Sequence, residues 1–286
     1  MSRLAVHQLT ASQLQSFIAQ PSHALLLHGP PGVGKTALAL HTAAEILGIS
    51  PQQLQDYPYL MVIDAPAISS EAAETIRKLE HFLSLRVPRE GLINRIVIIT
   101  DAQSLSLAAQ NSLLKTIEEP PEATLLLLTA DSQASVLPTI SSRLQAIAVK
   151  RPAKAALINY FSQQDHSATA IGQTYAMSGG LPGLMQALLT HEEHPLQPAT
   201  ALARHLLQGS LFERLLLVED LAKQRPQAIN VMFILQQMAH ARLQSTEGSQ
   251  FSRWQQILQA SYEAHEQLLQ SGQPKLVLDC LMLKLK

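Results

Sequence analysis

Gly29-Pro30-Pro31-Gly32-Val33-Gly34-Lys35-Thr36 follows a short apolar run, 24–27, and opens onto a stretch of helical texture, 36–47. The octet satisfies G-x-x-x-x-G-K-[ST] at every fixed position. Glycines let backbone N–H groups converge on phosphate oxygens, Lys35 neutralises β- and γ-phosphate charge, Thr36 can hold Mg2+, and the following helix aims the positive end of its dipole at the anion. The expectation is ATP or ADP with Mg2+, bound by Gly29, Pro30, Pro31, Gly32, Val33, Gly34, Lys35 and Thr36. The alternative is an empty loop whose glycines only make the turn.

Further apolar runs stand at 60–63, 96–99 and 125–128, with a weaker one at 146–149. Their apolarity is continuous rather than alternating, which predicts strands buried on both faces of a parallel sheet, joined by crossover helices. Helical stretches lie between them: 36–47, then 69–84 opened by Ser69-Ser70-Glu71, then 105–117, which stops before Glu118-Glu119-Pro120-Pro121. After Arg151-Pro152 strand-like runs disappear. Short helices at 153–164, 168–178 and 183–189 are broken by Gly179-Gly180-Leu181-Pro182. A link, His194-Pro195-Leu196-Gln197-Pro198, leads into helices at 199–208, 211–224, 226–244, 251–271 and 274–285. The organisation read from this is an α/β nucleotide-binding domain over 1–150, a small helical part over 151–195 and an all-helical part over 196–286.

The chain has 286 residues, 47% hydrophobic and only 15% charged, against about 25% charged in an average soluble protein. Its 29 Gln take over part of the solvating role. With a net charge of −1 no global field advertises nucleic acid, so any such contact has to be local. Cys280 is the only cysteine, which excludes a disulfide framework and a cysteine-rich zinc site; it is read as a small buried hydrophobe. No apolar run is long enough for a membrane span and the first residues lack a signal-peptide core, so a soluble cytoplasmic protein is expected, with no membrane partner.

Hydrolysis asks for more than a phosphate loop: a carboxylate for the metal, a group that orients water, and an arginine for the γ-phosphate. The carboxylates belong at the end of a later strand, here Ile96-Val97-Ile98-Ile99-Thr100-Asp101. An Asp-Glu pair would fall on Thr100 and Asp101, so a hydroxyl stands where the metal-binding carboxylate should be. Asp101 is either a degenerate catalytic carboxylate or the cap of the helix from Leu105.

The runs Thr100-Asp101-Ala102-Gln103, Ala109-Gln110-Asn111-Ser112-Leu113-Leu114-Lys115-Thr116-Ile117-Glu118-Glu119-Pro120-Pro121 and Thr139-Ile140-Ser141-Ser142-Arg143-Leu144 resemble the bacterial DNA polymerase III clamp loader, an AAA+ family, and within it subunits of the delta-prime kind. The resemblance is good to about residue 190. It implies an AAA+ P-loop NTPase domain with a parallel sheet, a small helical lid and an all-helical collar that oligomerises. It also implies partners: other clamp-loader subunits of gamma/tau and delta type, the sliding clamp and, indirectly, primer-template DNA.

In the family a Ser-Arg-Cys motif supplies an arginine finger to the neighbour's nucleotide; Ser142-Arg143-Leu144 keeps the first two residues, so the resemblance makes Arg143 the finger, acting in trans. The bland alternative is an arginine paired with a nearby carboxylate. Thr129 or Ala130 falls where family ATPases place a polar sensor, and Gly180-Leu181-Pro182-Gly183-Leu184 lacks the second sensor arginine. The four-cysteine zinc module is missing between 47 and 60. The resemblance thus implies a largely non-catalytic stator. A working gamma/tau-type ATPase and a non-catalytic AAA+ scaffold for replication partners stay open beside it.

Arg77, Lys78, Arg86, Arg89 and Arg95 gather around the second crossover as a basic strip that is either solvated surface or a phosphate contact. His191-Glu192-Glu193-His194 lacks the H-E-x-x-H interval and reads as a linker.

Overall fold

The computed structural model describes residues 4–66, 72–88, 91–244, 247–270 and 272–285. Two compact units divide the chain, one up to Pro152 and one from Ala153.

The first unit is built on five parallel strands: β1 (Ala24–His28), β2 (Leu60–Asp64), β3 (Arg95–Thr100), β4 (Thr124–Ala130) and β5 (Gln145–Ala148), in the order β2-β3-β4-β1-β5. Registers such as Leu26 opposite both Leu128 and Ala146 place β1 between β4 and β5. Helices α1 (Gln8–Ala19), α2 (Lys35–Leu47), α3 (Pro51–Gln55), α4 (Ala72–Ser84), α5 (Leu107–Glu118) and α6 (Pro138–Ser141) join or flank them. Leu26, Val97, Ile99, Leu126 and Leu128 form one core with Leu79 and Leu83 of α4, Leu113 and Ile117 of α5 and Ile140 of α6. The alternate strand residues, Leu25, Leu27, Ile96, Ile98, Leu125 and Leu127, are equally buried, as are Leu14 and Phe17 of α1 and Leu38, Ala39 and Ala43 of α2. Both faces of β1, β3 and β4 are covered, which is why their runs are apolar throughout rather than alternating; the edge strand β2 departs from the expectation, with Val62 48% exposed and only Ile63 buried. Each crossover carries the chain back to start its next strand in the same direction, so all strand C-termini share one edge.

Several expectations need correction here. Arg95 does not belong to an exposed basic strip. It is 2% exposed, and its guanidinium donates to the carbonyls of Leu83 and Leu85 at the end of α4, 5.7 Å from the Phe82 ring centroid. A cation against the last carbonyls of a helix satisfies acceptors that have no intrahelical partner. Arg89 and the start signal at 69–71 lie outside the described residues. α5 starts at Leu107, two residues later than its periodicity suggested, because Ser106 provides the cap, its hydroxyl accepting from the Ala109 N–H at 3.2 Å.

The second unit is all-helical: α7 (Lys154–Ser162), α8 (Ala168–Ser178), α9 (Pro182–Thr190), α10 (Gln197–Gln208), α11 (Leu211–Lys223), α12 (Arg225–Leu243), α13 (Ser249–Leu269) and α14 (Pro274–Lys284). α12 is the axis of this unit. Val231, Met232, Ile234, Leu235, Met238 and Ala239 are buried around its whole circumference, and it packs against α8, α10, α11 and α13. Gly179, in the left-handed region at φ 66°, ends α8 against α12: a Cβ there would fall 2.5 Å from Cβ of Gln237, so the break in the sequence is a point of close approach. Cys280 departs from expectation. It is exposed, because α14 buries Val277, Leu278, Leu281 and Met282 and turns Leu276, Cys280 and Leu283 outward.

Candidate nucleotide site at the strand carboxyl ends

In parallel α/β sheets, ligands sit outside the carboxyl ends of the strands where neighbouring strands connect in opposite directions. β1 is such a strand, flanked by β4 on one side and β5 on the other. The glycine loop leaves its end. The Gly29 N–H donates to the Ala130 carbonyl at 3.1 Å, and a Cβ on Gly29 would come within 2.6 Å of the Val149 carbonyl oxygen, so the first glycine is required by packing. Gly32 at φ 75° and Gly34 at φ 94° make the turn that L side chains resist. Gly34 is the residue before α2, with open space where its Cβ would stand. The loop therefore presents its backbone to solvent at the N-terminus of a 13-residue helix, an arrangement that accepts a phosphate group.

Lys35 is 6% exposed and folds back over the loop. Its Nζ donates to the Gly29 carbonyl at 2.9 Å, the Pro30 carbonyl at 3.5 Å and Asp131 Oδ1 at 2.9 Å. Asp101 Oδ1 stands 3.9 Å away. Thr36 is exposed in the first turn of α2.

Thr100 and Asp101 lie at the end of β3. Thr100 Oγ1 donates to Asp64 Oδ1 at 3.1 Å, across the register pair Asp64–Thr100. Asp101 lies in the left-handed region at φ 47°, and its N–H donates to Thr129 Oγ1 at 2.9 Å. Thr129, fully buried in β4, thereby locks the backbone that aims Asp101. Asp101 makes no side-chain cap bond to the turn that follows it, so the capping alternative is not realised. Burial pushes the Asp101 carboxyl above the usual carboxylate range; Lys35 draws it back down, and the negative charge of Asp131 raises it again. Two carboxylates thus compete for one ammonium.

Arg143 follows α6. Its Nη1 donates to the Thr139 carbonyl at 2.9 Å, and Nη2 pairs with Glu118 Oε1 at 2.8 Å, with 42% of the side chain exposed. It is thus both carboxylate-paired and accessible, and its contacts are with α5 and α6 rather than with Lys35 or the loop. Leu144 beside it packs into the sheet core.

Asp131 is the site residue that sequence reasoning passed over. The signal was available: like Asp101, it is an acidic residue immediately after a wholly buried strand, at the edge where the phosphate loop lies.

The family model for "DNA polymerase III, delta subunit" matches residues 6–153, just over half of the chain. The DNA polymerase III subunit delta' of Pseudomonas aeruginosa is 33% identical over 187 residues, covering 59% of this chain and 56% of that protein. The DNA polymerase III subunit tau of Bacillus subtilis is 29% identical over 154 residues, 48% of this chain and 26% of that one. The chain thus aligns with little more than half the length of the first relative and about a quarter of the second. A solved structure of a DNA polymerase III gamma subunit-related protein from Thermotoga maritima aligns over 97% of this chain and 99% of its own, at 17% identity and a TM-score of 0.49.

Proposed function

The chain belongs to the DNA polymerase III delta subunit family, and on that premise we propose that it is a delta-prime-like subunit of a clamp loader, a largely non-catalytic stator that presents Arg143 to the nucleotide of a neighbouring subunit. In this reading residues 151–195 serve as the lid and 196–286 as the collar. The partners are loader subunits of the gamma/tau and delta types, with the sliding clamp and primer-template DNA reached through the assembly.

The observation that carries the stator reading is Thr100. A neutral hydroxyl already bonded to Asp64 offers no charge to a metal at the position where phosphoryl transfer needs a carboxylate. Arg143 supports the other half. A guanidinium held by one carbonyl and one exposed carboxylate can exchange Glu118 for a phosphate without unfolding anything, and its planar fork suits phosphate oxygens.

The loop's own residues fit a nucleotide. The amides around Gly32 and Gly34 would hold phosphate oxygens, Lys35 would pair with the terminal phosphates once it leaves Asp131, and Thr36 would face Mg2+. Bound Mg2+ would spread the phosphate charge. This chain's residues bind and orient; nothing at Thr100 activates water.

The test is DNA-stimulated ATPase of a loader reconstituted with the wild-type chain, Lys35→Ala or Arg143→Ala. Removing a finger that serves one site is expected to lower turnover at least tenfold, since such arginines contribute about 10³-fold or more, whereas Lys35→Ala stays within about twofold. If Lys35→Ala does the damage and Arg143→Ala does not, the chain is itself a motor of the gamma/tau kind.

A further inference from the structure

The ion pair of Arg143 joins two fixed pieces of backbone. Ile117, the residue before Glu118, and Ile140 and Leu144, on either side of Arg143, are buried in one core, where α5 packs on α6. Only the two charged side chains reach into solvent, 42% exposed for Arg143 and 48% for Glu118. Nη2 meets Glu118 Oε1 at 2.8 Å, while Nη1 donates to the Thr139 carbonyl at 2.9 Å and lies 3.4 Å from Ser142 Oγ. One edge of the guanidinium is thus tied to its own turn and the other to a carboxylate carried by a different helix.

Glu118 stands where its helix disfavours it. It is the last residue of α5 and Glu119 follows it, so two acidic residues occupy the negative end of the helix dipole. Arg143 offsets that charge, but the pair is too exposed to hold the fold together: ion pairs in water favour the paired arrangement by no more than about fivefold. That is the strength of a restraint. A terminal phosphate, with more than one negative charge and several acceptor oxygens, is a stronger partner for a guanidinium than one half-exposed carboxylate.

We propose that Glu118 gates Arg143, holding the guanidinium off a neighbour's nucleotide until a phosphate takes the place of the carboxylate. The gate rests on the stator reading of Arg143, to which it adds the group that restrains the finger. Glu118 is a positioning residue and acts only through Arg143.

Glu118→Gln keeps the shape of the side chain and removes its charge. In the free full-length chain, the rate at which phenylglyoxal modifies Arg143, read by peptide mass, is expected to rise about threefold or more once the carboxylate no longer holds the guanidinium. Arg86, exposed on the surface, serves as the internal reference. In the reconstituted loader without DNA, Glu118→Gln is expected to raise kcat for ATP about fivefold with KM unchanged, the full extent of the lost restraint. With primed DNA, where the finger is already engaged, the rate stays within about twofold. The thermal midpoint is unchanged, and the gain disappears when Arg143→Ala is added. An unchanged phenylglyoxal rate overturns the gate, as does a DNA-free gain that persists in the double variant. If Arg143→Ala collapses the DNA-stimulated rate while Glu118→Gln leaves the DNA-free rate unchanged or lowers it, the gate falls and the stator reading stands. If Arg143→Ala has no effect on turnover, the stator reading itself fails and takes the gate with it.

Discussion

Lys35 directs its ammonium donors at two loop carbonyls and at Asp131, with Asp101 within Coulombic reach. A phosphate can claim Lys35 only by displacing Asp131, and both nearby carboxylates repel the incoming anion. Nucleotide affinity is therefore held down by charge that the loop motif does not contain. Asp131→Asn keeps the shape, removes one negative charge and frees the ammonium. Affinity for ATP is expected to rise about fivefold, the scale of a partly exposed charged pair worth ~1 kcal/mol. Isothermal titration of the two proteins with ATP checks it; equal or weaker binding by the variant would mean that Asp131 positions Lys35 instead of restraining it. The identity of Lys35 was legible because eight consecutive residues declare it. The position of Asp131 after a buried strand was legible too, but its contact with Lys35 was not, because the two are 96 residues apart and are brought together only by the pairing of β1 with β4.

The same use of arginine recurs at the ends of helices. Arg95 closes α4, Arg214 reaches the Leu285 carbonyl behind α14, and Arg225 closes α13, in each case placing a cation on carbonyls at the negative end of the helix dipole. Arg95→Met keeps the length of the buried side chain but leaves the Leu83 and Leu85 carbonyls without their donor. With charged hydrogen bonds worth about 1.5–3 kcal/mol, the expected loss of stability is about 2–3 kcal/mol by urea denaturation, and a loss under 0.5 kcal/mol would show that water replaces the guanidinium. In sequence Arg95 looked like part of a basic strip because local charge density carries no information about burial. Its place at the start of a fully buried strand was the contrary signal. Cys280 erred in the opposite sense: in an apolar stretch it was read as a small buried hydrophobe, whereas the contacts of α14 with α11 and α13 cover only part of the helix's circumference.

At the scale of the whole molecule, burial acts on histidines in both units. Burial pushes the imidazoles of His28, His194 and His265 below their ordinary pKa. Two of them also accept hydrogen bonds when neutral: His194 Nδ1 accepts from the Leu196 N–H at 3.1 Å, and His265 Nδ1 lies 3.0 Å from the Gln236 amide nitrogen. The unfolded chain takes up protons on these groups before the native one does, so their contribution is complete above about pH 6.5 and is lost as the pH falls below it. The thermal midpoint is expected to be lower at pH 5.5 than at pH 7.5, a window above the ordinary range of the carboxylates. The raised carboxyl of Asp101 works in the opposite direction at the acid end. A flat midpoint across this window would show that the three imidazoles titrate normally.

The strands, most of the helices, the phosphate loop and the change of texture near residue 152 were determined by the sequence itself, because turn chemistry, apolar runs and helical periodicity act over a few neighbouring residues. Short-range signals also sufficed for the kinship, which rests on contiguous motifs around Thr100, Glu118 and Arg143. Tertiary structure alone decided which carboxylates surround Lys35, which arginines are helix caps, which carboxylate Arg143 meets, and which face of α14 meets solvent. Those depend on the order β2-β3-β4-β1-β5 and on the packing of helices around α12. Such long-range pairings are chosen by the burial of whole faces, and no stretch of neighbouring residues encodes them.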